Sequence, residues 1–124
     1  MEKLVITLTR WNVMVEYNGD HGVTSAFKNY RQYNSQFNYG YGGGGPMTLV
    51  KALMEVLYMQ NQREIYEKYQ SSRGIPGYEI IKTLVTETKN PDTAQSPLCG
   101  QLQIDVTEEM LAIFPFLQQK KDLF

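Results

Sequence analysis

The sequence predicts an α+β fold: a mainly antiparallel sheet of about five strands packed against one long helix, with a short C-terminal helix. Three observations predict it. Apolar residues alternate with period two near both ends of the chain, as Leu4, Ile6 and Leu8 and again as Leu102, Ile104 and Val106. A stripe at helical spacing runs through residues 46–69. The 124 residues are one domain's worth, so a single domain over residues 1–124 is expected, with roughly two thirds of the unfolded surface buried in one core.

The first strand is read at residues 4–9, where Leu4, Ile6 and Leu8 face one way and Val5, Thr7 and Thr9 the other. Trp11, Val13, Val15 and Tyr17 alternate against Asn12, Met14 and Glu16 as a second strand. Asn18-Gly19-Asp20 is a hairpin signal, because Asn and Gly tolerate positive φ. Residues 23–27 then pair back as a third strand. Residues 28–45 carry Tyr30, Tyr33, Phe37, Tyr39 and Tyr41 among Asn, Gln and Gly, with no period, and read as a long loop.

In residues 46–69, Leu49, Leu53, Val56, Leu57 and Gln60 form the apolar stripe of one amphipathic helix. Pro46, after Gly45, suits the first helical position. Lys51 with Glu55, and Arg63 with Glu67, are opposite charges four residues apart. Gly74 suits a left-handed C-terminal position. Residues 78–88 are ambiguous: Ile80, Ile81, Leu84 and Val85 could form a helix face, but the β-branched load (Ile80, Ile81, Thr83, Val85, Thr86, Thr88) favours a fourth strand. Asn90-Pro91 and Pro97 mark a loop. Leu102, Ile104 and Val106 form the fifth strand. Thr107 then caps a short helix with Glu108 and Glu109 in its first turn and Met110, Leu111 and Phe114 on its apolar face, and Pro115 stops it.

The charge balance narrows the function. Twelve basic and thirteen acidic residues leave −1, which argues against a long nucleic-acid partner. No run of about 18 apolar residues predicts a membrane span, and the N-terminal residues read as a strand and not as a signal peptide. A cytoplasmic location is expected. The single Cys99 excludes an intramolecular disulfide and a multi-cysteine metal site. The single His21 sits in the hairpin turn beside Asp20 and Gly22, without an orienting partner for nucleophilic catalysis. No Asp/Glu/His spacing suggests a metal, Glu108 and Glu109 point to different helix faces, and no cofactor is expected. The inventory weakens enzyme readings and points to binding.

Two constellations could carry that binding. Gly43, Gly44 and Gly45 run into a helix N-terminus, where unpaired N–H groups and a partial positive charge hold anions and glycines allow close approach. The match to a Walker loop fails, because no Gly-Lys-Ser/Thr follows and Pro46 removes a donor. The second is the aromatic loop, with Tyr39 and Tyr41 offering ring faces and Arg31 a bidentate partner for phosphate. Its rings equally suit covering the sheet and helix. Together these are the components of a small nucleotide pocket. The methionines of the long helix and the apolar tail Leu123-Phe124 point to subunit contacts, so a homo-oligomer, a dimer or larger, is expected.

In size, element order and residue inventory, the chain resembles the phage Thoeris anti-defence proteins that sequester cyclic ADP-ribose isomers. Residues that fit such a site are Arg31, the glycines at 42–45, Tyr78 and Asn90 with Pro91. The resemblance implies an oligomer that binds the signal at subunit interfaces without cleaving it. Two other readings stay open. One is a phage inhibitor acting by protein–protein contact, such as an anti-CRISPR protein, using the aromatic loop as its interface. The other is a small enzyme, which would turn its ligand over.

Overall fold

In the structure, a computed structural model, residues 2–8, 12–19, 22–29, 38–88 and 100–118 are described. The expectations for Trp11, His21, Arg31, Asn90, Cys99 and the Leu123-Phe124 tail lie outside these residues.

Strands β1 (Lys3–Leu8), β2 (Asn12–Gly19), β3 (Gly22–Asn29) and β4 (Gly100–Asp105) form an antiparallel sheet in the order β3-β2-β1-β4. Its register keeps the period-two pattern in phase across the strands. Leu4 lies opposite Tyr17 and Ile104, and Ile6 opposite Val15 and Leu102. All six are buried, so each row presents its side chains to one core. The opposite face carries Thr7, Met14, Glu16, Gln101 and Gln103, none of them buried. Lys3 is ion-paired with Asp105 on the neighbouring strand.

The helical layer departs from the expected single helix. Residues 46–69 divide into α1 (Gly44–Tyr58) and α2 (Gln62–Tyr69). Met59 ends α1 in the left-handed region at φ 56°, with Gln60 N–H donating to the Glu55 carbonyl at 3.2 Å, a Schellman-type stop. Asn61 then opens α2 with a capping box. Its side chain accepts from Glu64 N–H at 2.9 Å, and the Glu64 carboxylate accepts from Asn61 N–H at 3.4 Å. Such a cap contributes about 1 kcal/mol. The turn brings Ile65 into the core. The left-handed C-terminal residue of α2 is Gln70, at φ 64°, and not Gly74, which closes a short 3-10 turn at Ser72–Gly74.

The expected fourth strand is a helix, α3 (Tyr78–Glu87). The reason is energetic. β-branched residues cost at most about 0.7 kcal/mol each in a helix. Ile81 and Val85, four apart, are both 0% exposed, and burying each contributes about 1.5–3 kcal/mol. Thr86 and Thr88 also donate to carbonyls four residues back, at 2.8 and 2.5 Å, which satisfies their hydroxyls on helical backbone. Pro76-Gly77 forms the entry turn, with Gly77 at φ 85° and Tyr78 N–H bonded to the Ile75 carbonyl at 3.1 Å. Among the described residues the sheet therefore has four strands and not five. The last helix, α4 (Glu108–Ile113), is capped by Thr107 as expected, and a 3-10 turn at Pro115–Gln118 follows it.

Tyr58 joins these helices. Its hydroxyl donates to the Pro76 carbonyl at 2.5 Å, and its ring meets Phe114 edge-on at 5.6 Å between centroids. Burial above all, then the neighbouring Tyr69, pushes its pKa from 10.0 up to about 12. The unfolded chain releases this proton near pH 10 and the folded chain only near 12, so the folded state holds more protons between them. The Tyr58 contribution is complete below pH 10 and is lost as pH rises through 12. Across that window the loss is at most about 1.4 kcal/mol per pH unit. Melting temperatures are expected to fall over this range in the wild type, and to fall less in Tyr58→Phe. Equal slopes in both proteins would remove Tyr58 as the titrating group.

Candidate functional site

The glycine turn forms an open helix N-terminus. Gly43 precedes α1 with extended backbone and no side-chain cap, and the first turn holds no acidic residue. Pro46, the third helical residue, has no N–H, so the first-turn donors are those of Gly44 and Gly45, with Gly44 exposed and Gly45 half-buried. Met47 N–H is already bonded to the Gly43 carbonyl at 3.1 Å. The 15 residues of α1 give the end a full helix dipole.

Tyr41 lies against this end. A Cβ built on Gly43 would stand 2.9 Å from its ring carbon Cε2, so the absence of a side chain at 43 lets the ring approach the backbone. The ring is 41% exposed, and the Asn38 side-chain amide donates to its hydroxyl at 3.2 Å. Gly40, at φ 90°, anchors the turn by donating to the Val85 carbonyl at the end of α3 at 2.8 Å. The arrangement can bind an anion through two backbone donors and a planar group through one aromatic face.

The structure brings Tyr41, Gly43, Gly44 and Gly45 together and separates the other expected residues from them. Tyr39 is a core residue, 6% exposed, with its hydroxyl beside β4 at Gly100. Its neighbour Tyr41 faces solvent, so adjacent tyrosines divide between packing and surface. Tyr78 opens α3 at the end opposite Val85, about 10 Å away at the helical rise of about 1.5 Å per residue. Burial, first, and the nearby Tyr66 and Glu79 raise its pKa, against a hydrogen bond from Ser72. Arg31 and Asn90 lie outside the described residues.

Tyr78 instead lines a cavity of about 30 Å³ between α1, α2 and α3, with Lys51, Glu55, Tyr66 and Ser72. Tyr66 and Ser72 hydroxyls are 2.6 Å apart, and the Glu55 carboxylate accepts from Gln62 N–H at 2.9 Å. That volume admits a water and not a nucleotide. Tyr66 lies on α2 and Ser72 in the 3-10 turn after it. Only the break at Met59 brings them beside Tyr78. Among the described residues, no group of three or more His, Cys, Asp or Glu is placed to hold a metal ion. No helix among them is long and apolar enough to cross a membrane.

Compared with protein-family models, curated proteins and solved structures, the chain matches none.

Proposed function

We propose that the chain is a non-catalytic binding protein that sequesters a small, phosphate-bearing, nucleotide-like molecule in the cytoplasm, as a homo-oligomer. A cyclic ADP-ribose isomer is the ligand that the resemblance to Thoeris anti-defence proteins implies. The observation that carries the reading is the uncapped α1 N-terminus beside the half-exposed Tyr41 ring. Phosphate takes the Gly44 and Gly45 donors and the base takes the ring face.

The test is thermal shift and equilibrium binding against a nucleotide panel that includes cyclic ADP-ribose isomers, followed by chromatography of the ligand. A ligand at about a hundred times its Kd stabilises the fold by about 2.7 kcal/mol, and it should be recovered intact. Gly44→Val is expected to weaken binding about tenfold or more by placing a side chain where the anion sits. Gly44 is an exposed helical residue without positive φ, so melting of the free protein should barely change. Binding to none of the panel, or wild-type affinity in Gly44→Val, would defeat the reading. Turnover of the ligand would make the chain an enzyme.

A further inference from the structure

We propose that β4 is the contact strand of a symmetric dimer, in which two copies pair antiparallel about Gln103 and join their sheets into one. This gives the oligomer of the preceding reading a surface, and it requires no ligand.

Strand β4 ends the sheet order, and among the described residues it pairs only with β1. Exposed edges invite pairing with another chain unless lysine, proline or a bulge guards them. Gly100–Asp105 contains neither lysine nor proline, and its register with β1 runs unbroken from Gly100 to Asp105. Its one charge, Asp105, stands at the end of the strand and is ion-paired with Lys3. Beside the strand lies an open, mostly apolar groove of about 420 Å³, lined by Ile80, Thr83, Leu84, Thr107 and Met110 and by two acidic residues, Glu79 and Asp105. Ile80 and Leu84 are half-buried there, packed against the edge of the core beside Ile81 and Val85. An added strand would cover this groove while its backbone pairs with the edge.

The side chains select a second copy as the occupant. The Gln101 side-chain amide donates to the Thr7 hydroxyl at 3.4 Å, and that of Gln103 donates to the Gln101 side-chain oxygen Oε1 at 3.3 Å, giving a row of amides along the exposed face. A carboxamide is both donor and acceptor, so Gln103 complements Gln103 of the partner subunit. Pairing about Gln103 sets Asp105 against the partner's Gln101, which keeps the two carboxylates apart.

Sedimentation equilibrium without ligand tests this, so that a negative result leaves the binding reading standing on its own experiment. The wild type is expected at twice the 14.3 kDa chain mass at micromolar concentration. Gln103→Lys places like charges at the two-fold axis and should weaken the dimer about tenfold or more. Met14→Lys, on the same face but on β2 and already 40% exposed, should leave it unchanged. Amide hydrogen exchange in β4 should slow as wild-type concentration rises, a readout that depends on no variant. A monomer throughout, a dimer indifferent to Gln103→Lys, or β4 exchange independent of concentration would overturn the proposal.

Discussion

Replacing Gly77 with alanine is expected to destabilise the protein by about 3 kcal/mol, from two separate costs. The first is conformational. Gly77 sits at φ 85° in the turn that opens α3, and an L side chain there costs roughly 1–2 kcal/mol. The second is steric. A Cβ at 77 would stand 2.4 Å from Cζ and 2.9 Å from Cε1 of Phe114. That ring is 0% exposed and has no free space to retreat into, so relieving the clash costs about 1–3 kcal/mol more. The melting temperature should fall by about 10 °C for a domain of this size. A fall of less than a third of that would mean that the turn relaxes and that the close approach of Gly77 to Phe114 is unimportant.

Phe114→Ala should cost more, about 3–5 kcal/mol, the range for emptying a fully buried aromatic site. Phe114 touches both sides of the helical layer. Its ring meets Tyr58 edge-on at 5.6 Å and 89°, and it sits against Gly77 at the start of α3. Removing it leaves a cavity between α1, α3 and α4 and releases the edge-on pair, itself worth about 0.5–1.5 kcal/mol. Chemical denaturation is expected to show a lower midpoint with the slope preserved. The pair also makes a cycle. Once Phe114 is alanine, the steric part of the Gly77→Ala cost disappears and only the conformational part remains. The double variant should therefore be less destabilised than the two singles added together. Additive effects would show that the contact carries no energy.

The two helix ends that differ from expectation, at Met59 and Gln70, share a cause. Helix ends are legible when glycine takes the left-handed position, and here Met59 and Gln70 take it. Nothing local distinguishes those residues from helix interior. The Asn61–Glu64 capping box lies in the polar run Gln60–Glu64, which interrupts the apolar stripe, but helical spacing resumes at Ile65, so the whole span reads as one helix. Residues 78–87 are helical for a different reason. Their local preference is for strand, and it lost to the burial of Ile81 and Val85. The Pro76-Gly77 turn before them was the local sign of a new element.

Of the site, what the sequence could show was what is contiguous in it. Tyr41 and Gly43–Gly45 are neighbours along the chain, so one short turn places them together at the α1 N-terminus. Tyr78 is remote in sequence, and the fold directs it to a different cavity with Tyr66 and Ser72.

The sequence by itself determined which strand faces are buried: Leu4, Ile6 and Leu8 on β1, Val13, Val15 and Tyr17 on β2, and Leu102 and Ile104 on β4. Strand side chains alternate as a property of the backbone, so a pattern of period two needs no further information to choose its face. The tertiary structure decided where the helices break, that residues 78–87 are helical, and which tyrosines are core. Those outcomes turn on burial worth a few kcal/mol per side chain, which exceeds the tenths of a kcal/mol separating local conformations. Burial depends on partners distant in the chain, so local composition does not carry it.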